Sequence, residues 1–86
     1  MIVRLYSLYD KKTQLFSSPF AAVNDETAVR MIRTLTLDTA TTVGQYPEDY
    51  DVWRLGLFDD ASGAIADRDS LKLGNCAFIG AEQEAK

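Results

Sequence analysis

Only one stretch of this chain repeats its apolar residues at helical spacing. Ala28, Met31, Ile32 and Leu35 recur three and four positions apart, which places them along one stripe of an amphipathic helix. Asn24 precedes them as a favourable N-cap, and Asp25 and Glu26 complement the helix dipole in the first turn. The spacing predicts a helix from Asp25 to about Asp38, with Thr34, Thr36 and Thr39 lowering helix propensity towards its end. The other patterned segments read as strands, so the helix must bury its stripe against a sheet.

Ile2 to Tyr9 is rich in β-branched and aromatic residues and ends at Asp10-Lys11-Lys12, a strand followed by a turn. A second strand is expected from Thr13 to Phe16 and from Phe20 to Val23. Pro19 cannot donate to a ladder, so this strand lies at an edge or breaks there. Residues 39–49, with Gly44 and Pro47, read as a loop. Tyr50 to Phe58 is a further strand. If regular, it sends Trp53, Leu55 and Leu57 to one side and Val52, Arg54 and Phe58 to the other, but Gly56 offers a place for a bulge that would exchange those sides beyond it. Asp59-Asp60-Ala61-Ser62-Gly63 supplies a hairpin loop returning into Ala64 to Ala66. Leu71 to Ile79 is a final candidate strand, interrupted at Gly74-Asn75, and 81–86 reads as a frayed tail. The fold class is α+β: a small antiparallel sheet in the order β-β-α-β-β, with one further strand as an option and one amphipathic helix packed on a face. Residues 1–80 are expected to form a single domain.

Composition narrows the function. The 86 residues contain no histidine and one cysteine, Cys76, which excludes an intrachain disulfide and most thiolate or imidazole metal sites. Cys76 without an imidazole partner reads as a small buried apolar residue rather than a nucleophile. Asp59-Asp60, Asp67 with Asp69, and Glu48-Asp49 with Asp51 offer oxygen ligands, but none matches a defined cation loop, and turn formation and solvation account for them. No catalytic constellation and no cofactor are expected. There is no signal-peptide pattern and no apolar run long enough to span a bilayer, so a cytosolic protein without membrane association is expected. The net charge of −4 gives no global attraction for a polyanion. Nucleic-acid binding would therefore need a local basic face. A domain this small also has a thin stability margin, which makes a homodimer plausible.

Three stretches carry a family pattern. They are Leu5-Tyr6-Ser7-Leu8-Tyr9-Asp10, then Pro19-Phe20-Ala21-Ala22-Val23-Asn24-Asp25-Glu26-Thr27-Ala28-Val29-Arg30, then Tyr46-Pro47-Glu48-Asp49-Tyr50 continuing to Trp53-Arg54-Leu55-Gly56 and Phe58-Asp59-Asp60. In this order and spacing they resemble the small non-structural protein of gokushovirus-type microviruses, bacteriophages with small single-stranded DNA genomes. The resemblance implies a DNA-binding protein made in the cytoplasm of the infected bacterium and absent from the virion. It would act when single-stranded genomes are synthesised or packaged.

The expected ligand is single-stranded DNA, held by backbone contacts from basic residues and by stacking on aromatic rings. The candidate contacts are Arg4, Lys11, Lys12, Arg30, Arg33 and Arg54, with Tyr6, Tyr9 and Trp53 as stacking platforms. The alternative is a protein-interaction module that regulates the phage replication initiator or a host replication factor without touching DNA. Its contacts would be the acidic segments around Asp59-Asp60 and Glu48-Asp49-Asp51.

Overall fold

A computed structural model describes residues 1–67 and 70–79. Among these residues six strands join in one antiparallel sheet: β1 (Ile2–Asp10), β2 (Leu15–Phe16), β3 (Phe20–Ala22), β4 (Tyr50–Asp59), β5 (Ile65–Ala66) and β6 (Leu71–Asn75). The long strands β1 and β4 lie side by side at the centre. β2 and β3 both pair with β1 and together form one edge, and β5 and β6 both pair with β4 and form the other.

The first edge breaks at Pro19, as its missing N–H requires. Ser17 bridges the gap: its backbone N–H donates to the Leu8 carbonyl at 2.8 Å, and its Oγ accepts from the Leu8 N–H at 3.1 Å. The fully buried Ser7 hydroxyl donates to the Ser17 carbonyl at 2.7 Å.

Helix α1 runs Asp25–Thr36, and Asn24 caps it by accepting from the Thr27 N–H at 2.8 Å. The predicted loop at 39–49 instead holds a short helix α2 (Thr42–Gln45) and a single 3-10 turn (Pro47–Asp49). Thr41 starts α2 by accepting from the Gly44 N–H at 2.9 Å. Only glycine fits at 44, because a Cβ there would stand 2.0 Å from the Asp38 carbonyl oxygen. The last predicted strand also needs correction. It ends at Asn75, whose side chain accepts from the Ala77 N–H, and residues 76–79 turn into helix. Asp69 and the predicted tail at 81–86 lie outside the described residues.

Ile32, Val43, Cys76 and Ile79 close over Leu8 and Val52 to form the main core, and Ala28 packs beside it with Tyr6 and Ala22. All these helical segments lie on one face of the sheet. Side chains alternate along a strand, so Arg4, Tyr6 and Leu8 point to this helix face while Val3, Leu5, Ser7 and Tyr9 point to the other.

The alternation in β4 changes phase once. Tyr6 is opposite Arg54 and Leu5 opposite Gly56, which leaves Leu55 as an extra, bulged residue. Val52 and Arg54 therefore share the helix face with Leu57, and Trp53 shares the opposite face with Phe58. The sides exchange beyond this bulge, as the glycine at 56 allowed for, with the extra residue at its neighbour Leu55. Gly56 is required here, since a Cβ would meet the Ala66 carbonyl oxygen at 2.2 Å.

Candidate nucleic-acid interface

The basic and aromatic residues singled out in the sequence divide between the two faces. On the helix face, Tyr6 is 0% exposed and stacks on Phe20 with ring centroids 5.7 Å apart. Its hydroxyl donates to Asp25 Oδ1 at 2.7 Å, and burial together with that carboxylate pushes its pKa well above the usual tyrosine range. Arg54 donates to the other oxygen of the same carboxylate at 2.5 Å. Arg4 donates to the Val23 carbonyl at 3.1 Å, just before the helix. These contacts clamp the start of α1 onto the sheet. Tyr6 is thus a core residue and not a stacking platform; Arg4, Arg54 and Tyr6 share this face, and Trp53 lies on the other.

Arg30 and Arg33 lie on α1, away from the uncovered face of the sheet. Arg30 is exposed, while the Arg33 Nε–H donates to the Ile79 carbonyl at 3.3 Å and ties the helix to the turn at 76–79.

No described helix covers the opposite face. There Tyr9 and Phe16, cross-strand neighbours in β1 and β2, meet with ring centroids 4.8 Å apart. Phe16 in turn contacts Trp53 of β4 at 6.2 Å with the rings nearly perpendicular. Aromatic pairs favour such tilted and edge-to-face arrangements. Phe16 remains 49% exposed, whereas Tyr9 and Trp53 are half-buried. Beside the cluster, Lys11 extends from the turn after β1, and Lys72 of β6 lies opposite Trp53. Asp51 projects between them, 5% exposed. Lys12 is exposed in the same turn as Lys11, its N–H held by Asp10 Oδ1 at 2.9 Å.

Tyr9, Trp53, Lys11 and Lys12 are therefore near one another, and Phe16 and Lys72 join them unpredicted. Phe16 was within reach of sequence reasoning, because a four-residue connection after Asp10 sets it opposite Tyr9. Lys72 was not, since its position depends on a long-range pairing and on a second irregularity between Val52 and Trp53.

Of the acidic residues considered for protein contact, Asp51 is buried, whereas Glu48 and Asp60 are exposed. Among the described residues no group of three or more potential ligands is placed to hold a metal ion, and no helix is long and apolar enough to cross a membrane.

The family model described as Phage ORF5 protein matches residues 3–77. The chain belongs to the phage ORF5 family. It is similar to Protein ORF5 of Chlamydia phage 1, with 32% identity over 62 residues, covering 67% of this chain and 65% of the relative. The match thus spans just under two-thirds of the relative's length. No solved structure matches the fold. The family places the chain as a small gokushovirus-type phage protein, in agreement with the resemblance carried by Leu5 to Asp60.

Proposed function

We propose that this ORF5 protein binds single-stranded DNA on the uncovered face of its sheet, without catalysis and without strong sequence preference. The observation that supports the reading is the aromatic cluster of Tyr9, Phe16 and Trp53, with Phe16 exposed and Tyr9 and Trp53 half-buried, and with Lys11 and Lys72 at its border. Base stacking on such rings contributes about 1–3 kcal/mol per base and tolerates any base, because each has a π-face. A local basic border lets a chain of net charge −4 approach phosphate without a globally positive field.

The protein would act in the host bacterial cytoplasm, outside the virion, when phage single strands are replicated, synthesised or packaged. A homodimer would place two such faces on one assembly.

Trp53 is the single tryptophan, so its fluorescence reports on the face directly. Oligo-dT is expected to quench it, with affinity falling steeply as salt rises. Tyr9→Ala should weaken binding, whereas Arg30→Ala, on the far side of the molecule, should leave it unchanged. Absence of quenching and of any mobility shift at low salt would sink the proposal. Solution mass measured in the same titration tests the dimer.

A further inference from the structure

Asp51 is an unusual residue to find inside a face read as binding a polyanion. Its carboxylate is almost fully buried, accepts from Asn75 Nδ2 at 2.9 Å, and lies between two ammonium groups: Lys11 Nζ is 3.8 Å from Oδ1 and Lys72 Nζ is 3.9 Å from Oδ2. The lysines reach it from opposite sides of β4, one from the turn after β1 and one from β6. Both ends of the arrangement are fixed by backbone. The Lys11 N–H donates to the Asp49 carbonyl at 2.9 Å, and the Asn75 amide also donates to the carbonyls of Glu48 and Tyr50.

Exposed ion pairs of this length stabilise a fold very little, and the lysine side chains remain 47% and 55% exposed. Their attraction to the buried carboxylate instead fixes where they stand. Two ammonium groups against one carboxylate leave a net positive charge, and each ammonium keeps donors free for a further acceptor.

The geometry points to a phosphodiester site between Lys11 and Lys72, beside the Tyr9, Phe16 and Trp53 rings, with Asp51 as the positioning residue that draws the two lysines together. This rests on the reading of the uncovered face as a single-strand interface. It adds the place where the backbone sits while bases meet the rings, and it assigns an acidic residue a supporting part in binding an anion.

The test is a set of oligo-dT titrations across a salt series for wild type, Lys11→Gln, Lys72→Gln, Asp51→Asn and Phe16→Ala. Each lysine variant should reduce the slope of log affinity against log salt by about 0.7, the value for one lost phosphate contact on a single strand. Asp51→Asn raises the net charge by one and so should tighten binding if only overall charge matters. Positioning predicts the reverse, a several-fold weakening at low salt. An unchanged slope for either lysine variant, or tighter binding by Asp51→Asn, overturns the site while Phe16-dependent binding by wild type persists. Loss of wild-type binding altogether would instead remove the underlying single-strand reading, and this site with it. If thermal melting shows that Asp51→Asn does not fold, the two lysine slopes decide.

Discussion

The two faces of the central sheet draw on similar side chains for opposite ends. On the helix face a tyrosine and an arginine converge on the two oxygens of Asp25 and disappear into the packing beneath α1. On the other face a tyrosine, a phenylalanine and a tryptophan lean on one another beside two lysines, with Phe16 half exposed. Residue type alone does not separate a structural clamp from a binding surface. Parity along the strand does: Tyr6 and Tyr9 are three positions apart and therefore point in opposite directions.

The largest test of this contrast is Tyr6→Ala. It removes a fully buried ring and orphans a hydrogen bond to Asp25, and should cost about 3–5 kcal/mol in urea-denaturation stability. A loss near zero would place Tyr6 outside the core and erase the distinction between the faces.

Alkaline pH should also act on the helix face. Burial pushes the Cys76 thiol from its ordinary value of 9.0 up to about 11. The folded state holds this proton to higher pH than the unfolded chain. The stabilisation is therefore complete below pH 9 and is lost as pH rises through about 11, a fall of about 2–3 kcal/mol. Tyr6 and Tyr50, both raised by burial with carboxylates nearby, extend the decline to higher pH. Thermal melts from pH 8 to 11 on wild type and Cys76→Ala should differ in slope over this window, and identical profiles would contradict the assignment.

Gly56→Ala probes the junction where the faces exchange phase. Its Cβ would crowd the Ala66 carbonyl, and overpacking of this kind costs about 1–3 kcal/mol by chemical denaturation. Phe16→Ala should behave in the opposite way to Tyr6→Ala, with stability nearly retained and oligo-dT affinity falling by about 1–2 kcal/mol. Equal effects on folding and binding would mean that the cluster is simply core. The smallest effect is expected at Gln14, which adopts φ 61° in the turn after β1. Gln14→Gly removes the side-chain penalty for that left-handed conformation and should be neutral to stabilising by a few tenths of a kcal/mol.

Much of the fold was legible because its signals are local. Asn24 and the stripe from Ala28 to Leu35 place the helix, Pro19 marks the broken edge, and Gly63, at φ 78°, closes the predicted hairpin. The short helix at Thr42–Gln45 was not legible, because one turn is too brief to show a period and its threonines favour loops. Residues 76–79 were read as strand because Cys76, Phe78 and Ile79 are apolar, whereas the cap at Asn75 that redirects them forms only when its side chain meets Asp51 and neighbouring carbonyls across the sheet. The candidate site was half legible for a related reason. Composition pointed to Tyr9, Trp53, Lys11 and Lys12, but assigning them to one face, and Arg4, Tyr6 and Arg54 to the other, requires the register of β1 against β4.

The bulge at Leu55 has a bearing on how this gene can vary. β4 is in effect two half-strands written in different phase, and one supernumerary residue reconciles them. Removal of that single codon would make the strand regular and leave both halves facing as they do now, with Val52, Arg54 and Leu57 beneath the helix and Trp53 and Phe58 on the other face. Loss of two adjacent codons on one side of the bulge would keep the phase and shorten the sheet. Length changes in this strand should therefore be selected by where they fall relative to the bulge before they are selected by size.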